Sequence, residues 1–182
     1  MSTHAPNFTP ADPAAILQAR AVALAGRAAT VADGGPALEV VEFQLGGEHY
    51  AVESRFVREV CPVREITPLP GTPMFVVGIV NVRGQVLTVI DLRLVLQMGA
   101  RGISDLNQVV ILRDAGREVG ILADEIIGVR RLREVDLQPA GPALAGGAAG
   151  RVRGLGPERL VVLDAAAVLK DAGLVVNEEA GG

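Results

Sequence analysis

The sequence predicts a mainly β protein made of two small barrels, and three observations support this fold class. Runs rich in Val, Ile and Leu are separated at short intervals by Gly or Pro, which is typical of small barrels with tight turns. Several of these runs recur in the same order about 69 residues further along the chain. Apolar residues are 49% of the chain but aromatic residues only 3%, so aliphatic side chains must fill the cores.

The first 37 residues differ in character from the rest of the chain. Asp12 is suited to cap a helix with Pro13 at its first position, and the alanine-rich segment 14–29 continues the helical pattern. A Gly-Gly-Pro linker ends it. Two alternatives stay open for this helix, a solvated helix on a tail or one that packs on the domain or on a partner. Residues 1–37 are predicted to be an N-terminal extension.

From residue 38 the pattern changes to strands and short helical turns. Two strands flank the Gly46-Gly47 turn and predict a β-hairpin over residues 40–52. Later runs with the composition of strands cover 75–82, 85–90, 108–113, 118–123 and 160–163. Short helical turns are predicted at 54–59, 92–96 and 165–171. We expect the folded domain to cover residues 38–170, with 171–182 as a C-terminal tail.

An internal repeat relates the two halves of this domain. Chance similarity among valine-rich strands is the alternative, but the match keeps its order over several elements, which favours a duplication. Each repeat of about 65 residues has the size of one small barrel, and we expect the chain to cross between barrels near residues 96–106, where an element can be exchanged. The aligned segments are Val40-Val41 with Val109-Val110, Tyr50 with Val119, Val82-Arg83-Gly84 with Val152-Arg153-Gly154, and Val89-Ile90-Asp91 with Val162-Leu163-Asp164.

The composition argues against nucleic-acid binding and against membrane insertion. The formal charge is −4, whereas nucleic-acid binders carry an excess of Lys and Arg. Tyr50 is the single tyrosine, which is too little for a base-stacking surface. No apolar run is long enough to cross a bilayer, and the N-terminus lacks the pattern of a secretion signal. With Cys61 as the single cysteine, these features predict a cytoplasmic protein.

The sequence carries no motif for metal, phosphate or nucleophilic chemistry. His4 falls in the N-terminal extension and His49 on a predicted strand, and no His-x-x-x-His or Cys-x-x-Cys pair occurs. The glycine-rich loop that binds phosphate is absent from the sequence. Cys61 follows an apolar residue and is better interpreted as a packing residue than as a nucleophile. We therefore expect neither a metal nor another cofactor.

The acidic and basic residues also have simpler interpretations than catalysis. Asp91 and Asp164 occupy equivalent positions in the two repeats, each just before a predicted helical turn, which favours two helix N-caps. Asp124-Glu125 and the arginine-rich run 130–133 are most simply solvated charges. Because no base, nucleophile and orienting group converge, we expect no enzymatic activity, and an undetected small-molecule enzyme is the alternative class.

Five motifs of the folded region form a recognisable set. They are Gly78-Ile79-Val80-Asn81-Val82-Arg83-Gly84 running into Val89-Ile90-Asp91, Phe43-x-Leu45-Gly46-x-Glu48-x-Tyr50, Val57-x-Glu59-Val60, Ile66-x-Pro68-Leu69-Pro70 and Gly120-Ile121-Leu122-Ala123-Asp124. Over about Leu38 to Leu169 this set closely resembles the CheW family of bacterial chemosensory coupling adaptors. The chain departs from the family in its long N-terminal extension and its Gly- and Ala-rich segment 143–150.

The resemblance implies two intertwined five-stranded barrels of SH3-like topology that act without catalysis. It implies binding to the cytoplasmic tip of a chemoreceptor (a methyl-accepting chemotaxis protein) and to the regulatory domain of a CheA-type histidine kinase. Such an adaptor is expected to be a cytoplasmic monomer in dilute solution that is recruited to membrane-associated receptor arrays without entering the bilayer. A pathway other than motility, such as pilus control, is the alternative output.

The resemblance also assigns candidate receptor-binding residues. For Gly78 and Gly120 the alternative to receptor binding is a structural role, because glycine lets strands pack closely. The alternative for the arginine is a local ion pair with Asp91 or Glu59. No residue is assigned to kinase binding, although the turns around 99–105 and 141–150 are candidates. The predicted receptor-binding residues are Val57, Glu59, Gly78, Asn81, Arg83 and Gly120.

Overall fold

The computed structural model describes residues 35–63, 65–97, 108–142 and 150–178. The predicted N-terminal helix lies outside the described residues, as do most of the two turns considered for kinase binding. The strands are β1 (Ala37–Leu45), β2 (Glu48–Glu53), β3 (Val57–Pro62), β4 (Val76–Val82), β5 (Gln85–Ile90), β6 (Gln108–Asp114), β7 (Arg117–Ala123), β8 (Glu125–Arg133), β9 (Val152–Leu155) and β10 (Val161–Leu163). The helices are α1 (Leu92–Val95) and α2 (Ala165–Glu178), and single 3₁₀ turns lie at Ser54–Phe56, Glu134–Asp136 and Pro157–Arg159.

The strands form two five-stranded sheets, which confirms the predicted fold class. The first has the order β8-β1-β2-β10-β9 and the second β3-β6-β7-β5-β4. In each sheet a short antiparallel bridge joins the segment after one outer strand to the other outer strand. Thr67, after β3, exchanges two backbone hydrogen bonds with Ile79 of β4 (2.8 and 2.9 Å), and Gln138, after β8, does the same with Leu155 of β9 (2.8 and 2.9 Å). These bridges link the two sides of each sheet, which closes the sheets into a first and a second barrel.

The two repeats exchange three strands each. The first barrel combines β1 and β2 with β8, β9 and β10, whereas the second combines β6 and β7 with β3, β4 and β5. The chain crosses at the Ser54–Phe56 turn and again at Asp124. The predicted crossing near residues 96–106 is therefore wrong. The strands on either side of that segment, β5 and β6, both belong to the second barrel, where β5 pairs in parallel with β7 and Val89 faces Gly120.

The structure also corrects two details of the sequence interpretation. The predicted helical turn at 54–59 ends at Phe56, and β3 follows directly. In the repeat, Gly154 corresponds to Gly78 rather than to Gly84, because Gly154 pairs with Val162 and Gly78 with the equivalent Val89. Arg153 thus lies within β9, whereas Arg83 lies in a turn.

The central strands are apolar on both faces because each face packs in a different hydrophobic cluster. One large cluster joins the barrels through residues such as Phe43, Val110 and Ile121, while a smaller cluster lies on the other face of the central strands in each barrel. Alternate residues of β6 therefore belong to different clusters, Val109 to the smaller cluster of its own barrel and Val110 to the shared one. A strand that is buried on both faces has a continuous aliphatic sequence rather than an alternating one.

Both predicted N-caps are present. The Asp91 carboxylate accepts a hydrogen bond from the Arg93 backbone N–H at 2.9 Å at the start of α1. The Asp164 carboxylate accepts one from the Ala167 backbone N–H at 3.0 Å at the start of α2, which continues to Glu178 beyond the predicted helical turn. Among the described helices, none has the length and apolar character that a membrane crossing requires. The described residues contain no group of three or more His, Cys, Asp or Glu side chains arranged to hold a metal ion.

Candidate functional site

The predicted receptor-binding residues all lie on the second barrel. Val57 and Glu59 are on β3, Gly78 and Asn81 are on β4, Arg83 is in the turn that follows β4, and Gly120 is on β7. The structure joins Glu59 to Arg83 directly, whereas the two glycines lie inside the barrel wall. The set therefore divides into surface groups that a partner can touch and buried groups that shape the surface.

Arg83 is held outward by a tight turn between β4 and β5. Arg83 and Gly84 have φ angles of 52° and 84°, both in the left-handed region that two-residue hairpin turns require. The Asn81 side-chain oxygen accepts a hydrogen bond from the Gly84 N–H at 2.9 Å, which fixes the turn. A non-glycine residue in this conformation costs on the order of 1 kcal/mol. The turn adopts this conformation nevertheless and leaves the Arg83 side chain 74% exposed.

The ion pair of Arg83 is with Glu59 and not with Asp91. Arg83 Nη2 lies 3.3 Å from Glu59 Oε2, so the pair links β3 to the β4–β5 turn. Asp91 is instead bound by Arg93, whose Nη2 donates to Asp91 Oδ2 at 2.7 Å. An ion pair with one solvent-exposed member contributes only about 0–1 kcal/mol. Arg83 can therefore exchange this contact for one with a partner at little cost to the fold.

Gly78 and Gly120 serve close packing of the backbone. A Cβ on Gly78, where φ is 154°, would lie 2.3 Å from the Thr67 carbonyl oxygen. The strand bridge of Thr67 that closes the second barrel requires this glycine. A Cβ on Gly120 would lie 2.6 Å from Val109 Cγ1. Both residues are buried, so their effect on binding would act through the shape of the barrel.

A charged network beside Arg83 was missed by the sequence interpretation. Arg58 contacts Glu59 (Nε–Oε1, 3.4 Å) and Glu118 (Nη1–Oε2, 2.9 Å), and Arg113 contacts Glu118 as well (Nε–Oε1, 2.9 Å). The charged residues on both sides of the Ala115-Gly116 turn are visible in the sequence, but the sequence does not show that β3 lies beside β6. Two repeats that exchange strands bring these residues together.

The first barrel carries a second charged group, which corrects the interpretation of Arg130 as a solvated charge. Arg130 Nη1 donates to Oε2 of the buried Glu42 at 3.0 Å, and His49 Nδ1 lies 2.9 Å from Glu42 Oε1. Burial alone would raise the pKa of Glu42, but the hydrogen bonds from Arg130 and His49 outweigh burial and hold the pKa below its ordinary value. This group supports the fold of the first barrel.

Asp124 is also structural rather than solvated. Its carboxylate accepts a hydrogen bond from the Gly46 N–H at 2.7 Å, and its own N–H donates to the Gln44 carbonyl at 2.8 Å. These bonds tie the second crossing of the chain to the β1–β2 hairpin. Cys61 is half-buried on β3, and burial raises the pKa of its thiol, which disfavours the reactive thiolate.

Comparison with known proteins identifies the family. A model described as the CheW-like domain matches residues 39–173. The chain belongs to the CheW family. It is 35% identical to Protein FrzA of Myxococcus xanthus over 121 residues, covering 66% of this chain and 74% of that protein. It is 34% identical to the chemotaxis protein CheW of Klebsiella aerogenes over 129 residues, covering 69% of this chain and 76% of that protein.

A solved structure agrees with this assignment. The scaffolding protein CheW of Thermoanaerobacter tengcongensis superposes with a TM-score of 0.62 and 27% identity, covering 74% of this chain and 87% of that one. As a family, CheW proteins are scaffolds and not enzymes. The chain is therefore a CheW-like scaffold in chemosensory signalling.

Proposed function

We propose that this scaffold couples a chemoreceptor to a CheA-type histidine kinase and that the second barrel binds the cytoplasmic tip of the receptor. The observation that carries the proposal is Arg83, which a strained turn holds outward, 74% exposed and lightly paired with Glu59. Strained non-glycine residues persist where the surrounding structure enforces them and are concentrated at functional positions.

The surface around Arg83 suits a helical protein partner. The planar guanidinium presents five donors that can bind carboxylates or the carbonyls at a helix end. Val86 follows on β5 and is 60% exposed, which adds an apolar contact beside the charge. An arginine next to exposed aliphatic surface is a common composition for the centre of a protein interface.

The proposed kinase contact rests on the duplicated architecture. The regulatory domain of a CheA-type kinase is expected to resemble these barrels, and one barrel end can then meet the matching end of another in a quasi-symmetric contact. Many weak contacts of this kind suffice in a receptor array, because the linked partners act together. The same reasoning supports a monomer in dilute solution and a cytoplasmic protein that reaches the membrane through its receptor. The kinase bound in cells defines the output pathway, motility or another.

The test is titration calorimetry of the full chain against the purified cytoplasmic fragment of a chemoreceptor and against the kinase regulatory domain. Arg83→Glu should weaken receptor binding roughly tenfold or more, because it removes the donor and adds a repelling charge. Arg83→Gln adds no charge beside Glu59 and should show a smaller loss. The melting temperature should change by less than about 2 °C in both variants, since an exposed pair contributes little to stability.

Two results would contradict the proposal. A large fall in melting temperature in both variants would assign Arg83 to the fold instead of to binding. Absence of any heat or NMR shift with the wild-type protein, verified as folded at near-millimolar concentration, would reject coupling for that receptor or kinase.

A further inference from the structure

Glu118 is an almost fully covered carboxylate on the surface of the second barrel. Its side chain is 6% exposed, and Arg58 Nη1 donates to its Oε2 at 2.9 Å. Gln85 Nε2 donates to the same oxygen at 2.5 Å. The other oxygen, Oε1, is buried without a hydrogen bond among the described residues, and Arg113 Nε lies 2.9 Å from it as an ion-pair contact. Glu118 thus anchors residues from β3, β5 and β6 at one point.

This anchor is continuous with the pair formed by Arg83 and Glu59. Arg58 contacts Glu118 through Nη1 and Glu59 through Nε, so its side chain joins the two carboxylates. The order along the network is Arg83, Glu59, Arg58, Glu118 and Arg113. Arg83 and Arg113 are the two ends of one connected set, although they lie on different hairpins.

The acidic side chains of the network are nearly buried, whereas the arginines at its two ends are exposed. The side chains of Glu59 and Glu118 are only 14% and 6% exposed, whereas those of Arg83 and Arg113 are 74% and 61% exposed. A partner therefore meets guanidinium groups here, even though the chain carries a formal charge of −4. Such a local cationic surface on an acidic protein favours an acidic partner.

The other charged groups near this surface do not cancel its positive charge. At the end of the β6–β7 hairpin, Asp114 and Arg117 are both exposed and face each other in the strand register. Arg55, in the 3₁₀ turn that precedes β3, donates to Glu53 at 2.6 Å. Each of these acids is matched by a base, so the excess positive charge stays with Arg83 and Arg113.

We propose that Arg113 is a second cationic contact for acidic side chains of the receptor tip, and that the binding surface extends from the β4–β5 turn to the β6–β7 hairpin. This inference rests on the proposed receptor-binding function and adds the acidic character of its partner. Glu118 is a positioning residue, because it holds Arg58 and Gln85 between the two contacts. Two guanidinium groups on separate hairpins recognise carboxylates at two separate places on a helical surface, which gives register as well as affinity.

The experiment is a titration of full-length protein with the soluble cytoplasmic fragment of a chemoreceptor from the same genome, at several salt concentrations. The variants are Arg113→Glu, Arg113→Gln and Arg113→Lys. The control is Arg131→Glu, which makes the same charge change at an exposed position on β8 of the first barrel. Arg113→Glu should weaken binding about tenfold, Arg113→Lys should retain most of the affinity, and Arg131→Glu should bind like the wild type. Arg113→Gln should also lower the salt dependence of the dissociation constant, which loss of a purely structural contact would not do.

Each result decides between the two levels of the proposal. If Arg113→Glu binds like Arg131→Glu while Arg83→Glu loses binding, the second contact is rejected and the proposed function stands. If the wild type does not bind the fragment, the proposed function itself fails for that receptor. A folded Arg113→Gln variant with weaker binding but an unchanged salt dependence also overturns the inference, because a charge contact requires that dependence to fall.

Discussion

Individual buried charges in this protein act mainly on the fold, and Glu42 is the clearest case. Its carboxylate is bound by Arg130 at 3.0 Å and lies 2.9 Å from the His49 ring, and its pKa is below the ordinary value. A carboxyl whose pKa is lower in the folded state contributes stability that is complete above its unfolded pKa, roughly 4.3. That contribution is lost as the pH falls below this value towards the folded pKa.

Glu42→Gln should therefore flatten the acid side of the stability profile. We expect the variant to be less stable by about 1–2 kcal/mol at neutral pH, because Arg130 loses its charged acceptor. The difference from the wild type should shrink as the pH falls from roughly 4.3 towards the folded pKa, because the wild-type carboxyl is protonated first in the unfolded chain and then in the folded protein. Urea denaturation between about pH 3 and pH 7 measures this difference in the free energy of unfolding. Parallel curves for the two proteins over this range would show that Glu42 is not the group concerned.

Two glycines with the same backbone angle separate conformational strain from steric conflict. Gly78 has φ of 154° and Gly128 has φ of 149°, but a Cβ on Gly78 meets the Thr67 carbonyl at 2.3 Å whereas a Cβ on Gly128 meets nothing within 4 Å. Gly128→Ala should cost about 1–3 kcal/mol from the strained backbone alone. Gly78→Ala should cost about 2 kcal/mol more, because it disrupts the bridge to Thr67 as well.

Denaturant unfolding of both alanine variants measures this difference. Equal losses of stability would show that the second barrel closes without the close approach at Gly78. Receptor binding by a folded Gly78→Ala protein, at a temperature well below its midpoint, would then show whether Gly78 acts on binding through the fold alone. This comparison uses Gly128→Ala as its matched reference.

At the scale of secondary structure, the sequence predicted the apolar elements well and the half-buried strands poorly. The hairpin of β1 and β2, the central strands and both capped helices followed from their residues, because continuous aliphatic runs and an Asp before a helix are strong local signals. β3, β8 and β9 were missed or taken for a turn. β3 and β8 contain charged residues, and each carries a bulge, at Arg58 and at Ile127, that interrupts the alternation of a strand. β3 and β8 become strands by pairing with β6 and β1 of the other repeat.

The same limit applied to the candidate site. The tight turn that presents Arg83 could be anticipated from Asn81, Arg83 and Gly84. The ion pair of Arg83 with Glu59 was one of two alternatives. The network around Glu118 could not be anticipated, because it joins β3, β5 and β6 across the exchanged repeats. A contact between residues 60 positions apart, such as Arg58 and Glu118, carries no local sequence signal.

At the scale of the whole molecule, a shared core makes the two barrels depend on each other. Neither barrel contains a complete repeat, since each takes two strands from one repeat and three from the other. The largest core cluster also includes residues of both barrels and of α2. Unfolding one barrel would therefore expose the side chains that the other barrel contributes to this shared cluster.

We therefore expect the protein to unfold in one cooperative transition. Leu160→Ala removes a buried side chain from the small core of the first barrel, and Leu122→Ala does the same in the second. Each should lower the stability by about 2–5 kcal/mol and shift the whole transition without splitting it. Val86→Ala, at a position that is 60% exposed, is the control and should have almost no effect. Scanning calorimetry measures this directly. A calorimetric enthalpy well above the van't Hoff enthalpy, or two peaks in either leucine variant, would mean that the barrels unfold as separate units despite their shared core.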